Sequence, residues 1–460
     1  MALRRPETFA AGLVWVCALV PSAANAHELP KGIGLVWQEG AAADALPVVV
    51  TNRGLVAKDG GIFRIRCNEA YGITTAVVPF LEVASDGTWI LGTPEMVARS
   101  SDHACTLTTT LEQRVSGTGL NGYALQATTP PTVLVSVLDP ERLTEERGSR
   151  VLQSGDAGRS WTQRFDNADG ELFSSLLTAP THPERVYAIG FLVNPDAGPA
   201  QDLFARSDDY GATFTRHELT DRLALIAVDP SDPDIVFASA NVPDSLELIE
   251  LVRSTDGGDT FAPVGLQSPR FSAFTWTPDG SSLWVGADEG LFRSRDHGAT
   301  FTREQPDYTF VSCLTYRAGK LWMCAAKDPG IEGVFSKDDA AAEFTEFLTF
   351  DDVVKPMGCE DDGADEVCRV PWIDWLIEIF PNGPPDNITG MSDAGARDAG
   401  VELDGGIDAG AEADADATAA KRKSGGCSVG ASRDGGWEWL ALGSLLSLVC
   451  LRVRRRARTR

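Results

Sequence analysis

One short phrase, S-x-D-x-G-x-T-(aromatic), returns along this chain of 460 residues, and its period constrains the fold more than any other feature. Three copies are nearly complete: Ser207, Asp209, Gly211, Thr213 and Phe214; Ser254, Asp256, Gly258, Thr260 and Phe261; Ser294, Asp296, Gly298, Thr300 and Phe301. A fourth carries Ser154, Asp156, Gly158 and Trp161, with Ser160 in the threonine place. Degraded copies flank these, with Ser100, Asp102, Ala104, Thr106 and Leu107 before them and Ser336, Asp338 and a displaced Phe344 after. The weakest is Lys58-Asp59-Gly60, recognisable because Gly54-Leu55-Val56-Ala57 precedes it much as Gly290-Leu291-Phe292-Arg293 precedes a complete copy. The aspartates of these seven units stand 43, 54, 53, 47, 40 and 42 residues apart.

The phrase has the chemistry of a turn. Asp caps local backbone N–H groups, Gly takes the positive φ of a tight reversal, Ser or Thr adds a second local bond, and the aromatic plugs the space between strands. These aspartates therefore read as structural rather than catalytic. The surrounding context repeats too. Phe274-Thr275-Trp276, Leu283-Trp284-Val285-Gly286, Gly290-Leu291-Phe292-Arg293-Ser294 and Thr300-Phe301-Thr302-Arg303 are four short strands separated by turn residues. One four-stranded antiparallel sheet per unit cannot bury both its faces alone, whereas sheets stacked around an axis can. The expectation is all-β: a seven-bladed β-propeller over residues 31 to 350.

On those boxes the chain resembles the Asp-box, or BNR-repeat, β-propellers, a group that includes sialidases, sortilin-type receptors and xyloglucan hydrolases. The resemblance implies architecture more firmly than activity, because the group spans catalysts and binders. Phe63-Arg64-Ile65-Arg66 is similar to the start of the sialidase F-R-I-P motif, with Arg66 in place of proline, and it reads equally well as an alternating strand of the first blade. No H-E-x-x-H, G-x-x-x-x-G-K-S/T or G-x-S-x-G is present. Of the five histidines, His103 and His297 occupy the variable position of box turns and should be exposed, and no sequence neighbour nominates an orienting partner for either. No cofactor or metal is expected. Two functions follow: a non-catalytic surface module that binds protein, peptide or glycan, and, as the alternative, a surface glycoside hydrolase, sialidase-like or β-glucan-cleaving, with a divergent site.

The ends indicate where the propeller acts. Arg4 and Arg5, the apolar run Phe9 to Val20, and Ala24-Asn25-Ala26 read as a signal peptide over 1–26. Residues 27–382 then hold the propeller with a C-terminal disulfide loop and short helix. Residues 383–424 collapse into Asp, Ala and Gly and read as a disordered acidic stalk. The formal net charge of −26 argues against nucleic acid. In 425–460, Gly425-Gly426-Cys427-Ser428 leads into a short hydrophobic helix from Trp437 to Leu451 and an arginine cluster from Arg452 to Arg460. This pattern resembles the myxobacterial C-terminal sorting signal (MYXO-CTERM), which implies a sorting protease acting near Cys427, lipidation of Cys427 and an outer-surface location. A permanent single-pass membrane anchor is the other reading of the same segment.

Six cysteines remain in the exported body, as suits an oxidising compartment. Their proximity suggests Cys67–Cys105, Cys313–Cys324 and Cys359–Cys368, although six cysteines permit fifteen arrangements. Downstream, Trp372, Trp375, Leu376, Ile379 and Phe380 have helical spacing and predict a short amphipathic helix packed on the propeller.

Overall fold

The computed structural model describes residues 30 to 379, apart from short segments of which 73–79, 113–118, 127–131, 139–147, 193–200 and 358–366 are the longest. The leader at 1–26, Cys359, the stalk at 383–424 and the segment at 425–460 with Cys427 lie outside the described residues. The fold is all-β, with seven blades of four antiparallel strands joined in chain order. Blade 1 contains β1 (Gly32–Val36), β2 (Val48–Thr51), β3 (Gly54–Asp59) and β4 (Ile62–Cys67); blade 2 contains β5 (Phe80–Val83), β6 (Trp89–Gly92), β7 (Met96–Ser100) and β8 (Thr108–Glu112). Blade 3 is β9 (Gly119–Gln126), β10 (Thr132–Leu138), β11 (Arg150–Ser154) and β12 (Thr162–Asp166), and blade 4 is β13 (Glu171–Ala179), β14 (His182–Leu192), β15 (Gln201–Ser207) and β16 (Thr215–Glu218). Blade 5 is β17 (Leu223–Val228), β18 (Val236–Asn241), β19 (Ile249–Ser254) and β20 (Ala262–Ser268). Blade 6 is β21 (Phe271–Trp276), β22 (Leu283–Ala287), β23 (Gly290–Ser294) and β24 (Thr302–Glu304). Blade 7 is β25 (Tyr308–Arg317), β26 (Lys320–Lys327), β27 (Ile331–Asp338) and β28 (Thr345–Thr349).

The described chain forms two compact units. One takes the residues up to Thr93, then Arg99–Thr108 and those from Ile226 onward; the other takes Pro94–Ala98 and Thr109–Leu225. In the second unit, Phe173 and Leu176 of β13 pack with Leu134 of β10 and Leu203 of β15 in one apolar cluster.

In the first unit the second strands of the blades read as unbroken apolar runs. All five residues of β22 and all four of β6 are buried, as strands covered on both faces require. Blades 6 and 7 share a core of Trp284, Leu291, Val311, Leu314, Met323 and Phe335. Blades 1 and 2 share Val50, Leu55, Leu81, Trp89 and Leu91. Each large side chain so buried contributes about 1.5–3 kcal/mol.

The first and last blades of this unit meet closely. A Cβ on Gly32 would lie 2.7 Å from Cys324 Sγ, so only glycine admits the Cys313–Cys324 disulfide against β1. Ser312 Oγ donates to the Gly32 carbonyl at 2.6 Å across the same seam. After β28 the chain returns to blade 1, where β29 (Val353–Pro356) pairs in parallel with β4 and adds a fifth strand to the sheet. Beyond it Val367, Cys368, Pro371, Ile373, Trp375, Leu376 and Ile379 have helical backbone. Trp375 and Leu376 are buried with Phe63, Ile65, Phe350 and Val353, and the Trp375 ring meets Phe350 edge-on at 5.8 Å.

This return corrects two of the cysteine pairings. Cys67, the last residue of β4, is bonded to Cys368, 301 residues away. Cys67–Cys105 and Cys359–Cys368 are therefore both excluded, and Cys105 is disulfide-bonded elsewhere. Pairing with β29 makes the chain's far end the spatial neighbour of β4, which places Cys368 rather than Cys105 beside Cys67.

The two described disulfides should differ in weight. Cross-linking stabilises chiefly by restricting the unfolded chain, and more so for longer loops. Opening Cys67–Cys368 with Cys368→Ala should therefore cost about 3–5 kcal/mol, against about 2–3 kcal/mol for Cys324→Ala. Denaturant unfolding under non-reducing conditions measures both, and an equal or reversed order would show that native-state packing, not loop length, sets their value.

Candidate functional site

The repeat phrase forms the same turn between the third and fourth strands of five blades. The serine hydroxyl donates to the aspartate Oδ1 at 2.6 to 2.8 Å in Ser100–Asp102, Ser154–Asp156, Ser207–Asp209, Ser254–Asp256 and Ser294–Asp296. The same hydroxyl accepts from the backbone N–H of Ala104, Gly158, Gly211, Gly258 or Gly298 at 2.7 to 2.9 Å. The other carboxylate oxygen accepts from the hydroxyls of Ser160, Thr213, Thr260 and Thr300 at 2.6 to 2.7 Å, and from Thr106. Partial burial works to raise these carboxyls, but the hydroxyl and amide donors outweigh it. They hold Asp102, Asp156, Asp256 and Asp296 at about 2 and lower Asp209 as well. Phe214 and Phe301 pack against the neighbouring apolar clusters, while Trp161 and Phe261 are half-buried. In blade 7 the pattern breaks, and Asp338 pairs instead with Lys320 at 3.6 Å.

The motif that resembled a sialidase arginine site lies in β4, the fourth strand of its sheet counted from β1, and is flanked by β3 and β29. Arg66 is fully buried there, and its carbonyl accepts from the buried Tyr71 hydroxyl at 3.2 Å. Burial pushes the Tyr71 phenol well above its usual range. His297 is half-exposed and has a partner that its sequence neighbours did not reveal: its Nδ1 lies 3.2 Å from Oδ2 of Asp229, a fully buried carboxylate in the first turn of blade 5. Ser231 Oγ donates to the other Asp229 oxygen at 2.6 Å. The contact spans 68 residues and ties the blade 6 box turn to blade 5.

The corresponding position between blades 6 and 7 is a cleft of about 390 Å³. Its walls are the β21–β22 turn with Asp279 and Ser281, the cross-strand pair Trp284 and Arg293, and Tyr316, Lys337 and Asp339 of blade 7. The Trp284 and Tyr316 rings stack at 5.6 Å with planes 10° apart, and the Arg293 guanidinium lies 4.7 Å from the Trp284 centroid. Arg293 donates to Ser282 Oγ at 2.8 Å and pairs with Glu304 at 3.5 Å. Tyr316 donates its hydroxyl to Asp339, and its N–H bonds Thr275 Oγ1 at 2.9 Å. Burial, with the Asp339 bond adding to it, pushes the Tyr316 phenol up to about 12. Asp279 is held at about 2 by bonds from Thr277 and Ser281. None of these positions was singled out by the sequence as a site, because they are spread over several strands and turns of two blades.

Glu82 and Glu39 influence each other electrostatically where blades 1 and 2 adjoin. Gln38 bridges to Val83, Glu39 N–H donates to the Val83 carbonyl at 2.8 Å, and Glu82 precedes Val83. Burial, and then the charge of Glu39, raise the Glu82 carboxyl to about 7. A carboxyl that keeps its proton near neutral pH close to a second acidic side chain is the arrangement from which acid–base pairs are built. Among the described residues no group of His, Cys, Asp and Glu is placed to hold a metal ion.

No protein-family model matches the chain. It is similar to a xyloglucanase of Hypocrea jecorina (strain QM6a), 26% identical over 201 residues, which are 38% of this chain and 23% of that enzyme. The chain thus spans about a quarter of that relative's length. Among solved structures it resembles a puromycin-hydrolyzing peptidase of Mycobacterium tuberculosis, with 11% identity and a TM-score of 0.46 over 70% of this chain and 52% of that one. It also resembles the GH93 alpha-L-arabinofuranosidase of Fusarium graminearum, with 15% identity and a TM-score of 0.34 over 57% of this chain and 90% of that one. No residue role passes from these proteins to this chain.

Two substitutions probe the geometry. A Cβ at Gly298 would stand 2.3 Å from Phe237 Cζ at a φ of +78°, so Gly298→Ala should lose about 2–4 kcal/mol in thermal unfolding. Glu82 gives a pH signature. Between about pH 4.5 and 7 the folded chain holds a proton that the unfolded chain has released, so stability falls as pH rises through that window. Glu82→Gln should therefore leave stability nearly unchanged at pH 5 and raise it by about 2 kcal/mol at pH 8. A pH-independent difference would show that Glu82 titrates normally.

Proposed function

We propose that this chain is a surface-displayed β-propeller of the Asp-box class that binds an extracellular ligand, carbohydrate foremost, without turning it over. The observation that carries this reading is the fate of the repeat's carboxylates. All five in the regular turns are ionised acceptors tied to hydroxyls and amides two to four residues away, and so serve the scaffold. Ligand contacts then fall to the unrepeated side chains at the blade ends, held on rigid strands. The leader at 1–26, the acidic stalk and the C-terminal segment support display at the outer surface, with a sorting protease acting near Cys427 and that residue as the lipidation point. The stalk supplies reach.

A second reading, a glycoside hydrolase, is favoured by two specific observations: the similarity to the xyloglucanase and the proton-retaining Glu82 beside Glu39. In that case Glu82 is the general acid.

The exported chain, applied to an array of neutral and acidic glycans that includes xyloglucan, other β-glucans and sialosides, separates the two. Retention on a glycan with no release of reducing ends is the expected result. Release of reducing ends that Glu82→Gln abolishes would replace the binding reading with the hydrolytic one.

A further inference from the structure

We propose that the cleft between blades 6 and 7 is the carbohydrate site and that it takes an uncharged oligosaccharide, seated on the Tyr316 ring and held through its hydroxyls by Asp279, Ser281, Arg293, Lys337 and Asp339. The proposal rests on the carbohydrate-binding reading and gives it a location and a ligand class.

The cleft exists because one seam of the array departs from its neighbour. The first turns of blades 5 and 6 are alike: Asp229 N–H bonds the Ile235 carbonyl at 2.9 Å, Thr277 N–H bonds the Ser282 carbonyl at 3.0 Å, and proline follows each. Between blades 5 and 6, His297 reaches across to Asp229. In blade 7 the residue after the box aspartate is Asp339 rather than histidine, and Thr277 stands where Asp229 would accept. Asp339 turns instead to the Tyr316 hydroxyl of its own blade. The cross-seam bond is absent and a space of about 390 Å³ remains, at the small end of the range for small-molecule sites.

The lining selects the ligand. Tyr316 is fixed by the Trp284 stack, the Asp339 bond and the Thr275 bond, so its ring is preset and loses little freedom when a sugar face covers it. Two carboxylates and two cations converge, and Arg293 is already balanced by Glu304. An anion would meet Asp279 and Asp339, and a cation would meet Arg293 and Lys337. A neutral polyhydroxyl compound uses both kinds of partner, donating to the carboxylates and accepting from the cations and Ser281, and bonds to charged partners are the stronger class.

Titration calorimetry on the exported chain tests this with neutral gluco-, xylo-, manno- and arabino-oligosaccharides, an oligogalacturonate as the anion and a chitosan oligomer as the cation. A neutral oligosaccharide should bind best. Asp339→Asn and Lys337→Ala should each weaken it about tenfold, the loss of one charge-assisted bond. Tyr316→Leu should abolish it, with a native far-ultraviolet circular dichroism spectrum and a single cooperative thermal transition as the folding control, and binding to the wild type should alter the near-ultraviolet circular dichroism of the stacked Trp284 and Tyr316. Neutral sugar binding that survives all three substitutions overturns the location while leaving the carbohydrate reading intact. Preference for either charged oligomer overturns the ligand class. Failure to bind any of these compounds overturns the inference together with the reading on which it rests.

Discussion

A four-stranded sheet whose second strand is apolar on both faces needs a neighbour on each side, and that requirement organises the molecule. β22 and β6 have no solvent face, so blades 6 and 2 exist as folded sheets only in company. The apolar clusters accordingly sit between blades rather than within them: Trp284 and Leu291 of blade 6 belong with Val311 and Met323 of blade 7, and Leu55 of blade 1 with Leu91 of blade 2. Stability is thus a property of seams, and each seam is specified by what two sequentially distant strands present to one another.

The seam between the first and last blades carries a further load, because no covalent connection in the chain's order joins them. Three devices supply it. Gly32 lets β1 approach the Cys313–Cys324 bridge, β29 pairs with β4, and Cys67 is tied to Cys368. The parallel pairing needs a long return, and the downstream helical residues cover the sheet they rejoin, with Trp375 set against Phe350 and Val353. Closure by strand and disulfide together explains why Cys67 pairs over 301 residues when nearer cysteines exist.

What was legible in the sequence is what local chemistry decides. Ser294, Asp296, Gly298 and Thr300 make their bonds to one another within a few residues, so the turn could be read from the phrase, and the strands on either side followed from their apolar pattern. Ala104 kept the turn in a degraded copy because it too adopts a positive φ, 66°, and is fully buried. What was hidden depends on contacts across the array. The partner of Cys67, the Asp229 carboxylate that meets His297, and the convergence of Asp279, Arg293 and Tyr316 each join residues that no sequence window contains. The F-R-I-R segment shows the converse, since a resemblance over four residues could not indicate that β4 lies between β3 and the returning β29.

The repeat in fact extends beyond its phrase, and its extension shows where function can reside. In blades 4, 5 and 6 the residue before the box serine is an arginine that pairs across the sheet with a ring: Arg206 with Tyr187, Arg253 with Phe237, Arg293 with Trp284. The first strand of the following blade then adds another ring in the two seams where it is seen, Trp276 at 6.3 Å from Phe237 and Tyr316 at 5.6 Å from Trp284. Up to this point the two seams are variations of one frame. They part at two facing positions, His297 and Asp229 in one and Asp339 and Thr277 in the other: a side chain that reaches the preceding blade's buried carboxylate against one that turns to its own blade's tyrosine. An array stabilised by seams cannot open one by loosening its core without losing the fold. It can open one at a turn position that the repeat leaves free, where the change costs one polar contact and leaves the aromatic frame standing, already stacked and already lined with charge.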